Sequence, residues 1–155
     1  MGVELPLSGG GLAALCAMVA LWLGFAVAPT DAQQGEAYRI IFIHVPAAWM
    51  SMFIYMVMAF WCAVSLTMNT RLAAMMAQAL APTGALFTFI ALWTGALWGK
   101  PTWGTYWAWD ARMTSELILL FLYLGVIALR GATRIVHARC SRSSALSTCR
   151  SSISR

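Results

Sequence analysis

Charge is what this sequence has least of: only 10% of its 155 residues are charged, while 61% are hydrophobic. A soluble domain carries charge on roughly a quarter of its residues, so the deficit excludes an ordinary soluble fold. The charges that are present are clustered and leave long runs without any, a pattern that suits lipid as the solvent. Alternation of apolar and polar positions is missing as well, which excludes a membrane barrel. Helices satisfy their own backbone in hydrocarbon, so the chain reads as all-α, a polytopic membrane helix bundle.

A basic stripe is also lacking. The formal net charge is +5, but five of the ten basic residues (Arg134, Arg139, Arg142, Arg150 and Arg155) fall after position 130. None interleaves with a folded core, so nucleic acid is not an expected partner. Of the four cysteines, Cys16 and Cys62 lie in apolar runs, where a small buried hydrophobe is the expectation, and Cys140 and Cys149 lie in the tail. No C-x-x-C or C-x-x-C-H occurs, which excludes a thioredoxin-like protein and a c-type cytochrome.

Four apolar runs could cross a membrane: about 12–28, 47–68, 79–98 and 111–129. A crossing takes roughly 20 residues at ~1.5 Å each. The first run could be a signal peptide, because Ala26-Val27-Ala28 resembles a cleavage site. Its leading region has Glu4 and no Lys or Arg, so an uncleaved span is the simpler reading. Basic residues near the span ends set orientation. Arg71, Arg130 and the tail arginines place both termini and the Arg71 link in the cytoplasm. Tyr38–His44 and the loop Trp98–Asp110 then share the outer face. The sequence divides into a membrane domain, 1–130, and a tail, 131–155, rich in Arg and Ser. The tail has no apolar period and is expected to be disordered, as if another reading frame or a foreign segment began there.

The loop reads Trp98-Gly99-Lys100-Pro101-Thr102-Trp103-Gly104-Thr105-Tyr106-Trp107-Ala108-Trp109-Asp110. Two readings stand side by side. One is an aromatic belt at the lipid interface. The other is a broad platform for a planar ligand, with Trp103 and Trp107 stacked at i, i+4 if they share a helical turn. Asp110 and Glu116 read first as a helix N-cap and a first-turn acid. Arg112 and Lys100 could pair with ligand carboxylates or with lipid phosphate. His44 lies just before Pro46, which suits the first turn of the second span and so places the histidine just outside that helix. A lone interfacial histidine is more often a hydrogen-bonding surface group. Beside an aromatic platform, however, a neutral imidazole can hold heme iron axially. Met50, Met52, Met56 and Met58 are soft potential ligands, but their spacing spreads them around the helix and favours packing. His137 follows the fourth span and falls on the opposite side from His44.

At these residues the sequence resembles the cytochrome c maturation protein C (heme exporter protein C) family of the WWD heme-handling superfamily. The likeness runs from Asp31-Ala32-Gln33-Gln34-Gly35 through Ile43-His44-Val45-Pro46-Ala47-Ala48. It continues through the tryptophan loop to Ala111-Arg112 and Thr114-Ser115-Glu116-Leu117, and covers about 1–130. The resemblance implies a bacterial inner-membrane protein that holds heme b at its periplasmic face and passes it to the periplasmic heme chaperone, protein E, in a complex with proteins A, B and D. It implies His44 as an axial iron ligand, with Trp98, Trp103, Trp107, Trp109, Asp110 and Arg112 in the heme-binding loop. The family has six spans, with a second axial histidine in a later outer loop. Against that pattern the present chain reads as truncated or frame-shifted after four.

The expectation is therefore a heme carrier and assembly factor, not an enzyme. The alternatives are a heme lyase-type enzyme subunit, which no cysteine pair or acid/base constellation supports, and a structural membrane subunit left without function by truncation.

Overall fold

A computed structural model describes residues 9–153, with side chains through 133. His137, Cys140 and Cys149 lie outside the described side chains. The regular elements among the described residues are all helical. Helix α1 covers Gly9–Trp22 and closes in a π turn, Leu23–Val27, followed by a 3-10 turn, Glu36–Ile40. Then come α2 (Ile41–Met68), α3 (Arg71–Trp103) and α4 (Ala111–Ile153). Among the described residues four stretches are long and apolar enough to cross a membrane: Gly9–Val27, Glu36–Met68, Arg71–Trp103 and Ala111–Thr133.

The boundaries differ from those expected in three places. Helix α2 starts at Ile41 and carries Pro46 inside it, so His44 is in the helix rather than before it. The 3-10 turn leads directly into α2, which lets helical backbone begin ahead of the proline. Helix α3 runs 33 residues to Trp103, so the first half of the tryptophan segment is helix and not loop. At ~1.5 Å per residue it is about 50 Å long, longer than a ~30 Å hydrocarbon core, and its end can stand clear of the bilayer. Helix α4 continues beyond Arg130 to Ile153, where irregular chain was expected from 131. Extending a helix that already exists avoids the cost of nucleation, and Ala, Arg and Ser do not stop it.

Helix α3 is the centre of the bundle, with α2 and α4 packed against it. The turn from α2 to α3 is only Asn69 and Thr70; Asn69 ends α2 in the left-handed region, at φ 50°. Along α3 the buried residues are small: Ala73, Ala77, Ala81, Gly84, Thr88 and Ala91. Their three- and four-residue spacing puts them on one face, and small residues let helix backbones approach in lipid, where burial from water supplies no drive between helices. Ile54, Met58, Leu119 and Tyr123 fill the core against Ala77 and Ala81. Cys16 and Cys62 are exposed free thiols, not buried as expected, because in a membrane an apolar residue has a favourable place on the outer face.

Two polar contacts deal with backbone groups that helices leave over. Pro82 has no N–H, so the Gln78 carbonyl one turn earlier loses its ordinary donor. Arg130 of α4 supplies one, with Nη1 at 3.2 Å from that oxygen. At the end of α1, Arg39 donates to the carbonyls of Gly24 (3.0 Å) and Phe25 (2.8 Å).

Tyr123 is fully buried, and its hydroxyl donates to the Ser51 carbonyl at 2.8 Å. Its ring occupies the space that a side chain at Gly84 would need: a Cβ there would stand 2.2 Å from Tyr123 Cζ. Gly84→Ala is therefore expected to lower stability by about 1–3 kcal/mol through overpacking. Gly125→Ala, where a Cβ meets nothing within 4 Å, serves as a neutral control. Thermal unfolding in detergent checks both, and equal melting of the two variants would count against the α3–α4 packing described.

Candidate functional site

The 3-10 turn, the tryptophan segment and the start of α4 come together at one end of the bundle. Trp98 Nε1 donates to Gln34 Oε1 at 2.9 Å, which ties the segment before α2 to the end of α3. Gln34 is itself held in a tight turn, where Asp31 Oδ2 accepts from the backbone N–H groups of Gln33 (3.0 Å) and Gln34 (2.8 Å). The two segments expected to share a face do share an end.

Below them lies a cavity of about 300 Å³ between α2, α3 and α4, at the small end of ligand-pocket volumes. His44, Ala48 and Met52 line it from α2, and Ala91, Leu92, Gly95, Trp98 and Trp103 from α3. Arg112, Met113, Ser115 and Glu116 contribute from α4. The wall is mostly apolar, with a few polar groups converging on it.

His44 is the most tightly specified of these groups. Its Nδ1 is 3.0 Å from the Ala91 carbonyl oxygen and 3.1 Å from Thr94 Oγ1. A carbonyl only accepts, and the Thr94 hydroxyl donates to the Ile90 carbonyl at 2.7 Å, so Nδ1 must carry the proton. In the neutral ring this leaves Nε2 unprotonated, with its lone pair available. A carbonyl partner on one ring nitrogen is the usual way to orient a metal-binding histidine. Gly95 leaves room for the ring, since a Cβ there would be 3.0 Å from His44 Cε1. Trp98 packs against the imidazole with centroids 5.8 Å apart, and Trp103 packs against Trp98 at 6.5 Å.

Of the residues singled out from sequence, His44, Trp98, Trp103 and Arg112 meet at the cavity; Trp107, Trp109 and Asp110 do not line it. Helix α3 ends at Trp103 because Gly104 takes φ 78°, so Trp107 is off the helix and the expected Trp103–Trp107 stack does not form. Trp107 instead packs edge-on against Trp109, at 5.4 Å. Its Nε1–H is buried and has no acceptor among the described residues. Asp110 is the N-cap of α4, accepting from Met113 N–H at 2.8 Å. That N–H, and then the Arg112 guanidinium, hold its carboxyl below the usual carboxylate range. Arg112 pairs with Asp110 at 2.9 Å and lies over Trp103 at 5.2 Å. Lys100 turns inward on its own segment, donating to the Gly104 carbonyl at 3.1 Å and sitting over Tyr106.

Three further residues line the cavity: Gly95, which the sequence did not single out, Met52, which it assigned to packing, and Glu116, which it assigned to the first turn of a helix. Signals for the last two were present: Met52 is two turns from His44 on one α2 face, and Glu116 one turn from Arg112 on α4. The need for a glycine beside His44 depends on a contact between helices and left no local trace.

Comparison with known proteins shows the family. Residues 4–148 match the family described as Heme exporter protein C. Heme exporter protein C of Escherichia coli (strain K12) is 56% identical over 119 residues, 76% of this chain and 49% of that protein. The protein of the same name from Bradyrhizobium diazoefficiens is 57% identical over 104 residues, 67% of this chain and 40% of the relative. A cytochrome c biosynthesis ccmC-like mitochondrial protein of Marchantia polymorpha is 53% identical over 109 residues, 70% and 48% of the two chains. The chain spans about half the length of these relatives. With the matched residues covering nearly all of the bundle and the whole cavity, the chain belongs to the heme exporter protein C family.

Proposed function

We propose that this chain binds heme b as cargo at the outer end of its helix bundle and serves cytochrome c maturation as a carrier, not as a catalyst. The observation that carries the reading is His44, with Nδ1–H tethered to the Ala91 carbonyl and Nε2 left open at an aromatic-walled cavity. The family's name supports the choice of ligand.

The residues present suit such a group. His44 Nε2 is the iron donor, and the bond from Nδ1–H to a carbonyl strengthens that donor and fixes its aim. Trp98 and Trp103 offer apolar ring faces to a flat macrocycle, and Leu92, Met113 and Ala48 complete the apolar wall. Arg112 spends Nε and Nη2 on Asp110 and keeps Nη1 for a ligand carboxylate as a charge-assisted bond. The Trp107 N–H, with no acceptor among the described residues, is a further donor in the tryptophan segment, and Trp109, 80% exposed, stands where an incoming protein could meet it. Heme supplies an iron centre, a broad apolar face and two carboxylates. The chain's part is to hold, orient and shield them.

Delivery follows from the same geometry. The cavity sits at the end of the bundle beside exposed Trp103, Tyr106 and Trp109, so a partner can reach the cargo without opening the helices. We assign that end to the periplasmic side of a bacterial inner membrane, protein E as the recipient, and proteins A, B and D as companions. Lipid surrounds the spans.

Three measurements test the reading. Protein reconstituted with heme should show an absorption spectrum that is lost in His44→Ala, and an unchanged spectrum would overturn the ligand assignment. Gly95→Val should crowd the ring and weaken heme binding by about 10–100-fold, the usual effect of disturbing a ligand's support, with the helix content intact by circular dichroism. Cysteine labelling in inverted and right-side-out vesicles should place position 35 outside and position 70 inside, and the opposite pattern would overturn the periplasmic assignment.

A further inference from the structure

Glu116 is not needed to hold the heme as proposed, yet it lines the same cavity as His44. It is half-buried in the first turns of α4. The Ser51 hydroxyl donates to its Oε1 at 2.6 Å, sharing its proton with the Ala48 carbonyl at 2.7 Å. Ser51 is fully buried and is anchored in turn by the equally buried Tyr123. The carboxylate is thus fixed to the cavity wall through Ser51, whose hydroxyl and backbone carbonyl both bond side chains of α4 and so join α2 to that helix.

The cations at this end of the bundle are already engaged. Arg112 pairs with Asp110 and lies over Trp103, Lys100 bonds Gly104 and covers Tyr106, and Arg39 pairs with Glu36. Among the described residues Glu116 is the cavity's one charged group with no ionic partner. An acid set in an apolar wall without a counter-charge is costly to ionise, and that cost falls when a positive centre binds beside it.

A porphyrin core is a dianion. With a divalent metal it is neutral, and with a trivalent metal it carries one positive charge. We propose that Glu116 is the specificity residue that makes this cavity prefer the positively charged core, and so oxidised over reduced iron. The proposal rests on the heme reading and deepens it. Unlike an axial ligand, Glu116 need not touch the metal; a fixed charge acts through distance, and in a medium of effective dielectric ~20 a unit charge across a porphyrin's reach is worth about tenfold in affinity.

The test uses the full chain in nanodiscs and two redox-inert probes, gallium(III) and zinc(II) protoporphyrin, with binding read by quenching of tryptophan fluorescence. The wild-type chain should bind the gallium probe about tenfold more tightly than the zinc probe. Glu116→Gln, which still accepts the Ser51 bond, should bring the two affinities together by weakening gallium binding while leaving zinc binding nearly unchanged. Glu116→Asp, which retains the charge, should keep the preference. A ratio that Glu116→Gln leaves intact overturns the proposal, as does a ratio lost equally in Glu116→Asp, which would make shape the cause. His44→Ala separates this idea from its parent. Weaker binding of both probes in that variant, with a ratio indifferent to Glu116→Gln, sinks the charge selection alone, whereas affinity indifferent to His44→Ala sinks both.

Discussion

Hydrocarbon offers no water to a backbone N–H or carbonyl, so each such group must find its partner within the protein. The form of this chain follows from that demand. Where the helices are regular they meet it themselves, and where they are interrupted a side chain arrives from elsewhere. Arg130 answers the carbonyl that Pro82 leaves open, and Arg39 answers the last carbonyls of α1. These two arginines, among the few charges that the spans tolerate, serve the backbone first. The same demand gives His44 its character, because the Ala91 carbonyl that also accepts its Nδ1–H lies on a neighbouring helix at the distance a small-residue face permits.

Much of this was legible in the residues themselves. Low charge and long apolar runs announce a helical membrane bundle, and the pairing of His44 with the tryptophan segment at one end follows from the distribution of arginines. The cap at Asp110 was equally readable, because an Asp just ahead of an apolar run has a local job. What stayed hidden depends on neighbours distant in sequence. Pro46 looks like a helix start until the preceding 3-10 turn is seen. The glycines and proline of the tryptophan segment look like loop punctuation, yet α3 carries through Pro101 and stops only at Gly104. Glu116 has a local reading as a first-turn acid, and nothing near it in the sequence reveals Ser51 across the interface. The hydrogen-bond register between α2 and α4 decides it.

The cavity joins two kinds of precision. Its aromatic wall is broad and half open, with Trp103 exposed and Trp98 half-buried, and so suits recognition of a flat apolar face without fine tuning. Its polar groups are few and narrowly set, with His44 oriented by a carbonyl and Glu116 by a buried hydroxyl. Such a division fits a cargo site, which must hold one chemical species firmly enough to select it and loosely enough to release it. The bond from Trp98 to Gln34 extends the site to the segment between α1 and α2, so the part of the wall nearest the histidine is braced from outside the bundle.

Arg130 and Glu116 stand at opposite ends of the apolar part of α4, one fastened to a carbonyl of α3 and the other to the Ser51 hydroxyl of α2. Between them the Tyr123 ring is keyed into the gap at Gly84. Together they act as a depth gauge. The helix cannot slide along its axis by even part of a turn without breaking all three attachments, and a one-turn slip would carry Glu116 and Arg112 about 5 Å from where they stand. The vertical position of the charged wall is thus set by fittings spread along the length of the bundle, so a change in bilayer thickness should tilt the helices before it detunes the site.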